Sequence, residues 1–235
     1  MRSPWSSLVL AIPVLCLAAS PASATVIDFT SGTVTFLAGG TAVTNNVSSY
    51  QGVDFYEEDG FRLEFFFSVA NPAPFSSNVG NYYNAGNDVI HAHWDTGDFG
   101  QVTEVRVSRI DGDPFDLNYF VLTSNTDTGG APASGNEIAF ITSSFHDANA
   151  LPGLQLAPEN WGFPATQIFL DNTFDDIDYF RFYVTNAVDC FGMDNFFIDE
   201  EFQVGTVPEP TTILLVGSGI AGAMLRRRRS SARKA

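Results

Sequence analysis

The segment Phe61-Arg62-Leu63-Glu64-Phe65-Phe66-Phe67 contains the pattern that decides the fold class. Every second side chain from Phe61 to Phe67 is apolar, and the charged Arg62 and Glu64 lie between them. Successive side chains of a β-strand point to opposite faces of the sheet. The alternation therefore predicts a strand with one face buried and the other in water.

The same period of two recurs on both sides of this segment. Clusters of glycine, proline, aspartate and asparagine separate the alternating stretches, and no window of ten or more residues has the period of an amphipathic helix. Many short strands joined by turns are typical of a β-sandwich, so we predict one all-β domain. We predict long loops at 71–87 and 126–136. The further predicted strands are 26–29, 33–38, 53–56, 103–109, 117–123, 137–143, 168–170, 179–184 and 195–202.

The first 24 residues have the pattern of a secretory signal peptide. Arg2 provides the positive start, residues 8–19 form the apolar centre, and Ala22-Ser23-Ala24 is a small-residue cleavage site. Cleavage after Ala24 would make Thr25 the first residue of the exported protein. We therefore divide the chain into a signal peptide (1–24), a β-sandwich domain (25–206) and a C-terminal segment (207–235).

The C-terminal segment has the physical character of a membrane anchor. Pro208-Glu209-Pro210 precedes an apolar run at 211–225, and Arg226, Arg227, Arg228 and Arg229 follow it. The prolines separate the run from the domain, and the run predicts a transmembrane helix whose arginines stay in the cytoplasm. About 15 apolar residues are fewer than the roughly 20 that span a bilayer, which favours removal over permanent anchoring.

The order of proline-glutamate-proline, apolar helix and arginine cluster resembles the PEP-CTERM sorting signal of exported bacterial proteins. The resemblance implies that an exosortase recognises and processes the tail. It also implies export across the inner membrane, transient anchoring, and delivery to the cell surface or an extracellular matrix that contains exopolysaccharide. An ordinary tail anchor or stop-transfer helix is the alternative interpretation.

The charge of the domain excludes one class of partner. Residues 25–206 include 26 acidic and four basic side chains, a net charge of −22, and no lysine. Such a surface repels phosphate backbones, so we expect no nucleic-acid binding. The acid excess indicates either binding of divalent cations, above all calcium, or a soluble surface kept apart by like charge.

The two ends of the domain suggest where calcium would bind. Val26-Ile27-Asp28-Phe29 and the stretch from Gly192 to Asp199 resemble the first and last strands of jelly-roll domains of the carbohydrate-binding-module type. In such domains an acid on the last strand often helps to hold a structural calcium. Asp28 and Asp194 match those positions, and the alternative is that Asp194 caps a turn.

His91-Ala92-His93 is the strongest candidate for transition-metal binding. On a strand both imidazoles point to one face, and with Asp98 they resemble the first metal motif of cupins. The acid is Asp instead of Glu, a turn precedes it, and the second cupin motif is missing. A cupin-like or glycan-active enzyme using His91, His93 and Asp98 is therefore our alternative hypothesis, and two packed histidines beside Trp94 are the simpler one.

The remaining candidates concern one thiol and several aromatic rings. Cys190 is the only cysteine after the signal peptide, and its apolar neighbours predict a buried, inert thiol with no base nearby. Our main hypothesis is a structural or adhesive surface protein associated with polysaccharide, without catalytic residues, metal or cofactor apart from the calcium alternative. The rings that would stack on sugars, or else fill the edge of the core, are Tyr82, Tyr83, Trp94 and Trp161.

Overall fold

The computed structural model describes residues 24–81, 88–97, 100–127, 138–156, 166–186 and 188–200. In these ranges the chain forms fifteen short strands and one six-residue α-helix. The elements are β1 Thr25–Ile27, β2 Thr33–Phe36, β3 Thr41–Val43, β4 Ser49–Gln51, β5 Val53–Glu58, β6 Phe61–Phe67, β7 Ser77–Asn81, β8 Asp88–His93, β9 Val102–Arg109, β10 Leu117–Asp127, β11 Ile138–Ser143, α1 Ser144–Asn149, β12 Leu154–Leu156, β13 Thr166–Phe169, β14 Tyr179–Asn186 and β15 Val188–Ile198.

The strands form two antiparallel sheets. The seven-stranded sheet has the order β13-β10-β15-β8-β7-β4, with β1 paired to β15 at the side of this path. The eight-stranded sheet has the order β12-β11-β14-β9-β6-β5-β2-β3. Thr25 lies opposite Ile198, so the first and last described strands are neighbours in one sheet.

Aromatic rings from the two sheets interlock to form the core. Phe120 of β10 meets Phe182 of β14 with ring centroids 5.1 Å apart, and Phe196 of β15 meets Phe180 of β14 at 5.2 Å. All four side chains are fully buried. Each buried ring removes on the order of 150–250 Å² from water, and edge-to-face contacts add to that stabilisation. The predicted all-β sandwich is confirmed.

The predicted alternation is found in β6 and β14, and a bulge modifies it in β9. Phe66 pairs with Glu104 and Phe67 pairs with Val102, which leaves Thr103 as the extra residue. The bulge turns Val102 into the core beside Val105 and Val107, whereas strict alternation along the predicted strand 103–109 would place Thr103 on that face. An inserted residue shifts the inward side of a strand by one position.

The predicted loop at 71–87 is wrong for much of its length. It contains a 3-10 turn at Pro74–Ser76 and strand β7, whose sequence is Ser-Asn-Val-Gly-Asn. Four of these five residues are buried, although only one is apolar. Their strand conformation follows from pairing with β4 and β8 and not from local propensity, because β-structure depends strongly on tertiary context.

The two terminal predictions lie largely outside the described residues. The signal peptide up to Ser23, including Ala22, and the whole segment 201–235 are not described. Ala24 precedes β1 directly and Thr25 is its first residue, so the proposed cleavage point lies where the domain begins. Within the described ranges, no helix has the length and apolar character needed to cross a membrane.

Candidate functional site

Two histidines and a cysteine meet on the outer face of the seven-stranded sheet. His91 and His93 point outward from β8, and Cys190 of β15 lies directly opposite His93. Gly192 lies opposite His91 and leaves room there for the imidazole. The imidazole centroids are 4.9 Å apart, and one donor atom from each of the three side chains lies within 4.8 Å of the other two. We call these three residues the His–Cys cluster.

Burial determines the protonation state of the His–Cys cluster. His91, His93 and Cys190 are 0%, 6% and 3% exposed. Burial lowers the pKa of His93 to about 4, and burial together with the neighbouring His93 lowers the pKa of His91 well below its usual range. Both imidazoles are therefore neutral at pH 7, with nitrogen lone pairs that can bind a metal.

The structure corrects two predictions about this region. Cys190 is buried as predicted, but it has bases nearby, because the register of β8 and β15 brings two histidines to its side. Trp94 lies on the opposite face of the sheet, fully buried and stacked on Phe191 at 4.9 Å. It cannot stack on a sugar and does not cover the histidines. Asp98 lies outside the described residues.

Four carboxylates approach one another near the first strand. Asp28 follows β1, Glu58 ends β5, Asp88 begins β8 and Asp194 lies near the end of β15. Burial, together with the charges of Asp28, Asp88 and Glu58, raises the pKa of Asp194 to about 7. Burial and the charge of Asp28 raise the pKa of Asp88 to about 6. These four residues form the carboxylate cluster.

The hydrogen bonds of the carboxylate cluster leave a buried oxygen of Asp88 without a described partner. Asp28 accepts from the amide and hydroxyl of Thr30, and Glu58 accepts from the amide of Phe29 at 2.9 Å. Asp194 accepts from the amide of the next residue, Asn195, at 2.7 Å within β15. Asp88 Oδ1 is buried and has no hydrogen-bond partner in the described part of the chain.

The carboxylate cluster fits calcium in donor type but is not drawn together to coordination distance. Carboxylate oxygens are the ligands that calcium prefers. Among the described residues, however, only the His–Cys cluster has three potential donor atoms within 4.8 Å of one another. Asp28 and Asp194 therefore interact electrostatically without forming a compact ligand set, and calcium binding there stays a prediction.

A row of aromatic rings crosses the outer face of the seven-stranded sheet. Tyr119 of β10 lies opposite both Phe169 of β13 and Phe197 of β15. The Tyr119 ring stacks on Phe197 at 3.9 Å and contacts Phe169 at 5.3 Å. Phe169 is 70% exposed. We call these three rings the aromatic row. Tyr82, Tyr83 and Trp161, the rings that the sequence suggested for stacking on sugars, lie outside the described residues.

A groove of about 440 Å³ begins at the exposed end of the aromatic row. Phe169 forms one wall, and Asp171, Thr173 and His146 provide polar atoms. Both ring nitrogens of His146 already have hydrogen-bond partners, Ser143 at Nδ1 and Thr173 at Nε2. The volume lies within the range of small-ligand sites. This groove could not be predicted from the sequence, because its walls come from separate parts of the chain. β13 and the residues after it lie near β10 and α1 only in the folded protein.

Aromatic rings on the outer face of the eight-stranded sheet, unlike those of the aromatic row, lie beneath arginine side chains. Arg62 lies over Phe55 at 4.5 Å, and Arg106 lies over both Phe66 and Tyr179, at 5.0 and 4.7 Å. Guanidinium groups on ring faces form cation–π contacts. These ring faces are therefore occupied, whereas no described arginine lies over the aromatic row.

Comparisons with known proteins identify the tail. Residues 206–229 match the PEP-CTERM protein-sorting motif, which confirms the resemblance at Pro208 to Pro210 and at Arg226 to Arg229. No curated protein matches the chain. Among solved structures, the chain is similar to a mutant of a family 29 carbohydrate binding module, with 14% identity and a TM-score of 0.33. That alignment covers 62% of this chain and 98% of the other, and so low a score does not bear on function.

We predict that the contribution of Asp194 to the free energy of unfolding becomes less favourable as the pH rises from about 4 to about 7, which the difference between the wild type and Asp194→Asn measures in the presence of a chelator. Burial among other carboxylates raises the pKa of Asp194 to about 7, so the folded state keeps a proton that the unfolded state has lost. Asp194→Asn should therefore add about 1–3 kcal/mol to the free energy of unfolding at pH 8 and almost nothing at pH 4. Urea denaturation measures both values.

Asp59→Asn is the matched control for this prediction, because Asp59 lies in an exposed turn. It should follow the wild-type pH profile. If the free energies of unfolding of Asp194→Asn and of the wild type change in parallel from pH 4 to pH 8, proton uptake by Asp194 is ruled out as the cause of the stability difference.

Proposed function

We propose that this chain is an exported, non-catalytic surface protein that an exosortase sorts through its tail and that associates with extracellular polysaccharide. The observation that carries the sorting part is the PEP-CTERM motif at residues 206–229. The motif begins at residue 206, soon after Ile198, where β15, the last described strand, ends. The domain is thus followed directly by its sorting signal.

The proposed path through the membrane follows from the charges of the tail. The four arginines from Arg226 to Arg229 remain in the cytoplasm, while the apolar run enters the lipid. The acidic domain, with its signal peptide cleaved after Ala24, then lies outside the inner membrane. Processing near Pro208-Glu209-Pro210 would release it to the cell surface or matrix.

We predict that Glu209→Ala blocks processing in cells that contain the exosortase. Glu209 is the only charged side chain between the two prolines, so its removal should leave the motif without its acidic recognition group. The uncleaved precursor should accumulate in the inner membrane, as measured by immunoblotting of membrane fractions.

Glu201→Ala is the matched control, since it removes the same side chain upstream of the matched motif. It should be processed like the wild type. Normal processing of Glu209→Ala would contradict recognition through this residue.

The aromatic row carries the polysaccharide part of the proposal. Sugar rings stack on flat aromatic faces, and Phe169 presents such a face at 70% exposure. Tyr119 and Phe197 continue the surface across three neighbouring strands. The adjoining groove adds the carboxylate of Asp171 and the hydroxyl of Thr173 for hydrogen bonds with sugar hydroxyl groups.

The cupin-like enzyme hypothesis is not part of this proposal. It required His91, His93 and Asp98 around an accessible metal. The two histidines are buried, and the nearby potential ligand is Cys190. A binding domain needs no such centre.

We predict that Phe169→Ala weakens polysaccharide binding about tenfold, equivalent to ~1.4 kcal/mol. The change removes the most exposed ring of the aromatic row and leaves the core intact, so folding should be preserved. Binding of the full chain in detergent is measured first on a glycan array and then against the polysaccharide of the producing cell by affinity electrophoresis.

Phe66→Ala is the matched control, because Phe66 is a partly exposed ring on the other sheet, beneath Arg106. Its binding should equal that of the wild type. Blank arrays for the wild type, or equal weakening by both variants, would refute binding through the aromatic row without affecting the sorting proposal.

We further propose that the carboxylate cluster binds a structural calcium ion through Asp28 and Asp194. The four side chains come from different parts of the chain, and Asp88 Oδ1 has no described donor. Calcium would offset the repulsion among these charges and join β15 to the segment after β1.

We predict that calcium at roughly 100 times its dissociation constant stabilises the protein by about 2.7 kcal/mol. Asp194→Asn should abolish this gain because it removes a charged ligand, whereas Asp59→Asn should retain it. Thermal unfolding with and without calcium measures the effect. A wild-type protein that shows no shift would refute the calcium proposal.

A further inference from the structure

We propose that the His–Cys cluster is a structural zinc site. In a tetrahedral zinc site the Zn–S distance is about 2.3 Å and the Zn–N distance about 2.0–2.1 Å, so the donor atoms lie roughly 3.3–3.6 Å apart. The donor atoms of His91, His93 and Cys190 are already within 4.8 Å of one another. Small rotations of the side chains would bring all three to a common ion.

The chemistry of the donors favours zinc over the alkaline-earth ions. One thiol and two imidazoles are ligands for borderline-soft transition metals, whereas calcium and magnesium take oxygen. The chain thus separates its soft donors on the outer face of one sheet from its hard donors in the carboxylate cluster. Zinc also lacks redox chemistry, which suits a site that holds strands together.

A neighbouring asparagine provides a second, independent observation. Asn78 of β7 lies directly opposite His91 and is 1% exposed. Its Nδ2 donates to the Phe75 carbonyl at 2.8 Å, and its Oδ1 is buried with no hydrogen-bond partner among the described residues. Metal-bound histidines usually donate their other ring N–H to such an acceptor. We assign Asn78 Oδ1 this orienting role for His91.

The proposed binding step balances in charge and protons. Zn²⁺ displaces the thiol proton of Cys190, which leaves as H⁺, and the two imidazoles bind in their neutral form. The site gains one positive charge inside a domain whose net charge is −22. Binding would tie β8 to β15 and hold the one exported thiol as a thiolate, where no second cysteine is present for a disulfide.

The burial of the cluster indicates a structural role. Three protein ligands leave a fourth coordination position on zinc, which catalytic sites open to substrate, and burial of the cluster keeps substrate away from that position. His91 is fully buried, and His93 and Cys190 are almost so. The proposal is independent of the sorting and polysaccharide proposals, because it involves no residue of the tail or the aromatic row.

The experiment uses the full chain in detergent, stripped of metal, with Cys16→Ser in every variant so that Cys190 is the single thiol. Cobalt(II) serves as the optical probe and is displaced by zinc to obtain the zinc affinity. We expect one cobalt per chain, a tetrahedral spectrum and a thiolate-to-cobalt charge-transfer band. Cys190→Ser should abolish the band, and His93→Gln should weaken zinc binding by more than about 100-fold, beyond the cost of losing an outer-shell partner.

His146→Gln is the matched control, since it changes the one histidine outside the cluster in the same way. It should bind cobalt and zinc like the wild type, and circular dichroism checks that each variant is folded. If a variant does not fold, the readout becomes the protection by zinc of the wild-type Cys190 thiol against alkylation. Equal alkylation of Cys190 with and without zinc refutes the site.

Two other outcomes would overturn the proposal. A wild-type protein without the charge-transfer band, or a Cys190→Ser variant that keeps it, would show that Cys190 is not a ligand. Binding of Cu⁺ that depends on the cluster, with no binding of zinc, would show that the assignment to zinc is wrong.

Discussion

The interlocked aromatic core is the constraint on which the rest of the molecule depends. Phe180 and Phe182 of one sheet insert among Phe120 and Phe196 of the other, and all four rings are excluded from water. Because strand side chains alternate, fixing these rings inward also fixes which residues point outward. The positions of the His–Cys cluster and the aromatic row are therefore consequences of core packing.

The two outer faces acquire different properties from this arrangement. All four arginines between Thr25 and Thr206 belong to the eight-stranded sheet, and three of them, Arg62, Arg106 and Arg181, pair there with Glu57, Glu104 and Asp147. Such exposed pairs contribute little stability individually. They do neutralise that face and cover its rings. On the seven-stranded sheet, by contrast, Phe169 of the aromatic row is 70% exposed and no described arginine lies over the row.

Sequence could predict those features that depend on local periodicity, and much less of what depends on register. The alternation in Phe61–Phe67 and the absence of helical periods were sufficient for the all-β sandwich. The proximity of Cys190 to the histidines was not readable, because almost a hundred residues separate them and only the pairing of β8 with β15 joins them. Strand β7 could not be predicted because its polar residues are buried by neighbouring strands. Helix α1 could not be predicted because six residues are too few to show a helical period. The one available hint was that Cys190 becomes the single thiol if the predicted signal peptide is removed, in a chain that contains His-Ala-His.

The fourth arginine shows how the fold prepares the start of the tail. Arg109 takes no part in the ion pairs of the other three arginines. It forms an ion pair with Asp199, just beyond the end of β15. The Asp199 amide donates to the Asp116 carbonyl, and the Glu200 amide donates to Asn118 Oδ1 at 2.8 Å. The chain is thus held by the sandwich as far as Glu200, and five residues separate Glu200 from the matched motif, which begins at 206. A buried ion pair is costly to break on one side only, so Arg109 maintains this boundary. These contacts hold the end of β15, the strand that contributes Cys190, Asp194 and Phe197 to the three proposed sites.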